Sequence, residues 1–292
     1  MTLFDTRITP FGELCRKHVE DAKSLPEAAE YLEHMERFWR TYQPFASPKF
    51  QQHLLADDRK FYSLTWEMIL GARLLENGYQ LERSIDDNRP DLCLILKGKR
   101  IWIECCFPTG GDPLKPNSVT ETISDGEFHD VDLDRSVLRC TGPLSDKKKQ
   151  HKIWIAHRVC NQDEPFLIAL NGLNLRLQIF NNSLPQILRA LYATGDMYAV
   201  LDSNDPEYKE SGYHFKPKID KSEKTHISTT FFLEKNNDHI SGVLFSTDWI
   251  MRHSSSPQYC YVENINAANR TGALFTDFSQ TYEYHGNQIR LQ

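Results

Sequence analysis

The sequence predicts an α/β fold whose core, residues 61–170, runs helix, strand, strand, strand, helix, strand. Three observations predict it. The apolar spacing changes from three-and-four to two just after Gly78. A Gly98-Lys99 dipeptide joins two apolar runs, and a later helical segment leads into the unbroken apolar run Phe166–Leu170. Residues 1–58 read as a helical N-terminal extension. Residues 59–292 read as one α/β domain, with 171–292 a C-terminal elaboration of the core.

Taken in order, residues 26–41 form a helix with Ser24 as its cap, and the Pro44–Pro48 stretch breaks the pattern. Phe61–Asn77 is a second helix, with Leu64, Met68, Ala72 and Leu75 on one side and Gly78 as its stop. Tyr79–Ser84 is a short strand and Asp86–Pro90 a turn. Asp91–Lys97 and Arg100–Cys106 pair across Gly98-Lys99, since a two-residue loop with Gly first is a type II′ hairpin signature. Residues 107–143 read as a long polar loop, Leu144–Val159 as a third helix and Phe166–Leu170 as a buried strand. Beyond residue 170, Pro185–Leu191 looks helical, Met197–Leu201 extended and 203–225 a charged loop. Phe231–Leu233, Gly242–Ser246 and Tyr259–Val262 add strands.

Composition excludes several classes. With 40% hydrophobic and 25% charged residues in 292, the chain is neither disordered, collagen-like nor a coiled coil. The apolar runs fall far short of the ~20 residues a bilayer span needs, and the N-terminus lacks a basic-then-apolar leader. Seven scattered cysteines with no CxxC spacing read as reduced thiols of a cytoplasmic protein. A net charge of −6 argues against a protein that coats DNA by bulk electrostatics. Positive charge is local, at Lys147–Lys152 and Lys216–Lys224, and the second run reads as a solvated face.

The sharpest feature is Arg100–Cys106. Alternation puts Ile101, Ile103 and Cys105 on one face and Trp102, Glu104 and Cys106 on the other, and both faces are apolar. A carboxylate inside such a strand costs several kcal/mol unless it is paired or holds a metal. With Gly98-Lys99 as the loop, Cys93 lies opposite Glu104 and Asp91 opposite Cys106. Asp91 and Glu104 are then diagonal neighbours on one face, able to close on one divalent cation.

Pro90-Asp91, a twelve-residue gap, then Glu104-Cys105-Cys106 resembles the PD-(D/E)xK motif of restriction-endonuclease-like nucleases, over the middle third of the chain. The resemblance implies a mixed central sheet flanked by helices and metal-dependent hydrolysis of phosphodiesters in nucleic acid, with DNA the expected polymer. It implies Mg²⁺ or Mn²⁺ held by Asp91 and Glu104, with Glu67 on the preceding helix as a further, water-mediated ligand. The chain departs from the pattern at Cys106, where the family has Lys. Some members take that Lys from the following helix, often near a Gln, and Ser145–Gln150 offers this: Lys147, Gln150 and Trp154 share a helical face. Lys148, on the Leu144–His151–Ile155 face, is the rival. The expected catalytic set is Asp91, Glu104, Lys147 and Gln150. The missing Lys leaves a second expectation open, a catalytically silent relative that binds nucleic acid or protein.

Other signals carry less. GxxxxGK[ST], GxGxxG and HExxH are absent. The patch His129, Asp130, Asp132 and Asp134 begins like a calcium loop, but Arg135 and Thr141 stand where Gly and Glu are required, so it reads as solvated loop. Cys105 or Cys106 with His151 lacks any nucleophile signature and reads as buried thiol.

Overall fold

A computed structural model describes the chain at all residues except 1, 6–9, 116–117, 120–131, 176, 178–183, 202–207, 251–258, 273, 286–287 and 292. It opens with four helices, α1 (Glu13–Asp21), α2 (Pro26–Tyr42), α3 (Phe50–Ala56) and α4 (Asp58–Glu76). Pro26 sits at the start of α2, where a missing N–H costs nothing. The residue before it, Leu25, offers no side-chain cap, and the Ser24 hydroxyl bonds the Asp21 carbonyl instead. The Asp57 carboxylate accepts the Arg59 N–H, so α4 starts three residues before the expected Phe61. Met35, Phe38 and Tyr42 of α2 and Phe50, Leu54 and Leu55 of α3 are buried in the same core as Trp66, Met68 and Ile69 of α4.

Three strands follow: β1 (Gln80–Glu82), β2 (Leu92–Leu96) and β3 (Lys99–Cys106). Lys97 (φ 51°) and Gly98 (φ 77°) both take positive φ, the requirement of a type I′ turn. The turn is therefore Lys97-Gly98, one residue earlier than expected, and Leu96 pairs with Lys99. Each partner moves by two: Cys93 lies opposite Trp102 rather than Glu104. An even shift keeps every side chain on its expected face.

The expected 107–143 loop is shorter than that. A single helix, α5 (Leu133–Ala156), starts eleven residues before Leu144 and carries Pro143 within it. Gly142-Pro143 reads locally as a break, but Pro removes one N–H and its helical neighbours hold the turn from both sides. Asp132 is the N-cap, its carboxylate accepting the Arg135 N–H, and Asp134 lies in the first turn. That half of the acidic patch is helix start rather than loop; His129 and Asp130 lie outside the described residues.

Next come β4 (Phe166–Asn171), α6 (Leu188–Tyr192), β5 (Thr194–Leu201), β6 (Tyr208–Phe215), β7 (Lys218–Ser222) and β8 (Thr225–Ser228). β6 and β7 occupy most of the expected 203–225 loop, and Phe231–Leu233 is a turn rather than a strand. The chain closes with β9 (Gly242–Ser246), β10 (Tyr259–Glu263), β11 (Gln280–His285) and β12 (Gln288–Leu291). Among the described residues no helix is long and apolar enough to cross a membrane.

Among the described residues, one mixed sheet of eight strands, in the order β1-β2-β3-β4-β9-β10-β11-β12, organises the molecule, with β5–β6 and β7–β8 as separate ribbons. β4 lies parallel to both β3 and β9, and α5 makes the crossover from β3 to β4. Helices cover both sides of the sheet. Ile101, Ile103 and Cys105 join the α1–α4 core, while Trp102 and Cys106 join Val137, Cys140, Leu144 and Trp154 of α5.

His151 belongs to that second layer. Its ring, 1% exposed, stacks on Phe166 at 3.9 Å, and neither nitrogen has a hydrogen-bond partner among the described residues. Burial, and then His239, lower its pKa to about 3. A depressed folded-state pKa gives stability that is present above the unfolded value near 6.5 and is lost as pH falls toward the folded one. Urea melts of His151→Phe between pH 6 and 4 should therefore show a stability slope shallower than wild type by about 1.4 kcal/mol per pH unit. Equal slopes would show that His151 charges freely in the fold.

Candidate active site

The β2–β3 register brings Asp91, at the entrance to β2, directly beside Glu104. The Asp91 N–H donates to Glu104 Oε2 at 3.2 Å, and the Cys105 N–H donates to Asp91 Oδ2 at 2.7 Å. The two carboxyl groups are adjacent, closer than the diagonal arrangement expected from the shifted register. Lys147 reaches in from α5 and places Nζ 2.5 Å from Glu104 Oε1. Lys148, one residue on, points away to Asn236 Oδ1 at 3.4 Å.

Glu67 arrives from α4. It is buried, and its Oε1 accepts the Tyr42 hydroxyl at 2.6 Å. Gly71, one turn later on α4, makes room for that Tyr: a Cβ there would meet the Tyr42 ring at 2.5 Å. Glu67, Asp91, Glu104, Lys147 and Gln150 all line one open cavity of ≈610 Å³. The fold thus gathers all five expected residues from α4, the entrance to β2, β3 and α5. Cys106 lines the same cavity, with its thiol pushed up to about 12 by burial, so it supplies no charge there.

The electrostatics are those of crowded, desolvated acids. Burial first, then Asp91, push Glu67 well above the usual carboxylate range. Burial, then Asp91, raise Glu104 to about 8 against the pull of Lys147. Burial raises Asp91 too, opposed by Lys147 and the Cys105 N–H. Burial pulls the Lys147 ammonium down, but the charges of Glu104 and Asp91 outweigh it and hold the group above its ordinary value. Two buried acids, Glu67 and Glu104, and the half-buried Asp91 therefore share the cavity with the half-buried ammonium of Lys147. Among the described residues, no three His, Cys, Asp or Glu side chains are grouped closely enough to hold a metal ion together.

Two contributors carry no sequence signal. Tyr42, which fixes Glu67, stands 25 residues away on another helix. Lys60, at the start of α4, lines the cavity beside the acids. The thiol route has no support in the geometry. Burial drives Cys105 well above its ordinary value and Cys106 to about 12, and His151 stacks on Phe166 instead of meeting a thiol.

Comparison with protein-family models, with curated proteins and with solved structures returned no match.

The Tyr42–Glu67 contact is testable by itself. Tyr42→Phe leaves a buried carboxyl without its donor and should cost about 1–3 kcal/mol in a denaturant melt. Adding Glu67→Met, which removes the stranded group, should recover much of that loss. A double-mutant cycle with no coupling would show that the hydroxyl is not what holds Glu67.

Proposed function

We propose that this cavity is the active site of a metal-dependent nuclease with a restriction-endonuclease-like core, and that Lys147 replaces the lysine missing at position 106. The observation that carries the reading is the 2.5 Å contact between Lys147 Nζ and Glu104, made beside Asp91 in one cavity. A basic side chain, two adjacent acids and an open path to solvent are the parts phosphodiester hydrolysis requires. The sheet order around β2, β3 and β4, with α5 as the crossover, is consistent with such a core.

The donor set suits a hard divalent cation: carboxylate oxygens of Asp91 and Glu104, with Glu67 lining the same cavity. Burial favours the neutral form of Glu67, Asp91 and Glu104, and Mg²⁺ or Mn²⁺ bound there would favour their charged form. When bound, such a cation supplies an activated water and charge neutralisation at the phosphate. The chain's own residues do the rest. Asp91 and Glu104 orient the site through the Cys105 N–H and each other. Tyr42 holds Glu67 in place. Lys147 is positioned to stabilise charge developing on the phosphoryl oxygens, and Gln150, three residues on along α5, to hydrogen-bond the substrate or the attacking water.

A second reading, a catalytically silent module that binds nucleic acid or protein, is favoured by one observation: the three acids are not grouped as a ligand set. Metal binding separates the two. Mn²⁺ should raise the melting temperature of wild type, by the equivalent of about 2.7 kcal/mol at a hundredfold excess over Kd, and Asp91→Ala should remove the shift. A shift of the same size in both proteins would place the metal elsewhere.

Glu104→Gln should abolish cleavage of plasmid and single-stranded DNA in Mg²⁺ or Mn²⁺ while the protein stays folded in a thermal melt. Lys147→Ala should lower kcat by about 10²–10³ with the Mn²⁺-dependent melting shift nearly intact, whereas Lys148→Ala should leave kcat close to wild type. Full activity in Glu104→Gln overturns the site assignment. Metal binding without cleavage of DNA or RNA leaves the silent module as the reading.

A further inference from the structure

The acidic cavity is not alone on its side of the molecule. Phe107, Pro108, Pro143 and Asp146 form a wall that it shares with a larger cleft of ≈740 Å³. Into that cleft α5 sends Arg139, Lys148 and Lys149, and β7 sends Lys221. Lys148 and Lys149 of the first basic run and Lys221 of the second, some 70 residues on, thus line one recess, although the second run is a solvated face as expected. Against these four cations stand Asp146 and Glu234. Asp146 is engaged by Lys149 at 3.3 Å, and Glu234 by the Ser228 hydroxyl at 2.9 Å. Among the described residues the recess is therefore net positive, on a chain of net charge −6.

Its walls are also aromatic. Phe231 lines the cleft half-exposed, and Phe107 stands in the shared wall. Phe107 is itself buried, with the rings of Tyr62, at 5.6 Å, and Trp249, at 5.0 Å, packed behind it. Cations interleaved with aromatic faces are the chemistry that recognises an unpaired polynucleotide: phosphates meet the ammonium groups and free base faces meet the rings. A duplex offers its phosphates but keeps its base faces stacked and away from the rings. The cleft volume lies within the roughly 300–1,000 Å³ of sites that enclose small ligands, room for a few nucleotides of one strand.

We propose that this cleft is a track for single-stranded nucleic acid, carrying one strand past the shared wall at Pro143 to the carboxylates. The proposal rests on the reading of the acidic cavity as a hydrolytic site, and names its substrate as unpaired. Lys148 and Lys221 contact the strand's phosphates, and Phe231 stacks a base.

The test is fluorescence anisotropy with a labelled 15-nucleotide oligo-dT and, beside it, a blunt 15-base-pair duplex, both in Ca²⁺ and over a range of salt. Wild type should bind the single strand at least about tenfold tighter than the duplex. The double variant Lys148→Glu/Lys221→Glu should weaken single-strand binding at least tenfold and reduce the slope of log K against log salt by about 1.4, at about 0.7 per phosphate contact. Phe231→Ala should weaken binding about tenfold with the salt slope unchanged, a split that a merely structural role would not produce. Equal or tighter binding of the duplex overturns the proposal, as does an unchanged salt slope in the double variant. A wild-type slope near zero, which needs no variant to fold, overturns it too. Loss of binding in the double variant, with no cleavage by wild type in Mg²⁺ or Mn²⁺, supports the track and removes the nuclease reading. Cleavage that is indifferent to all three substitutions does the reverse.

Discussion

Glu104 is an acid in the interior of a strand covered on both faces, and the surrounding elements are arranged by the cost of keeping it there. Burial in such a place disfavours its charge by several kcal/mol unless partners replace water. β2 brings Asp91 alongside, α5 brings the Lys147 ammonium, and the next main-chain N–H of β3 is turned to hold Asp91. On the opposite layer Glu67 needs the same treatment and receives it from Tyr42 of α2. Groups from α2, α4, β3, α5 and the residue entering β2 thus meet in a single electrostatic problem. None of those groups is placed by its own local sequence; each depends on the sheet and its two helical layers holding their positions.

The parts of this arrangement that follow a local period were readable beforehand. Alternation along Arg100–Cys106 assigns Glu104 to the face of Trp102 and Cys106, and that face is where α5 lies. The hairpin register differs from the expected one by two residues, because Lys97 itself takes a positive φ and the turn slides back by one on each strand. Two is the period of a strand, so Asp91 and Glu104 kept their common face and came closer. Helical phase separated Lys147 from Lys148 in the same way, sending one to Glu104 and the other to Asn236.

What could not be read depends on distant partners. Gly142-Pro143 is a break by every local rule, yet α5 passes through it, with Leu144 and Cys140 buried on either side to hold the turn. The strands β6 to β8 hide in a charged segment because as two-stranded ribbons they expose most of their surface and need no apolar alternation. Tyr42 against Glu67, and Lys221 in one cleft with Lys148, are meetings of residues whose sequence neighbourhoods say nothing of each other. Long-range packing decides these, and period-based reading has no access to it.

The path of α5 has a further consequence. Consecutive lysines of one helix serve two different cavities, Lys147 the acidic one and Lys148 its neighbour. One residue corresponds to about 100° of rotation around a helix axis. Inserting or deleting a single residue between Pro143 and Lys147 would swing the Lys147 ammonium out of reach of Glu104 and bring a different side chain to face it. Substitution at most surface positions of this helix is a local matter, but a change of length here rewires both cavities at once. In this stretch the spacing of the chain is under tighter constraint than its composition.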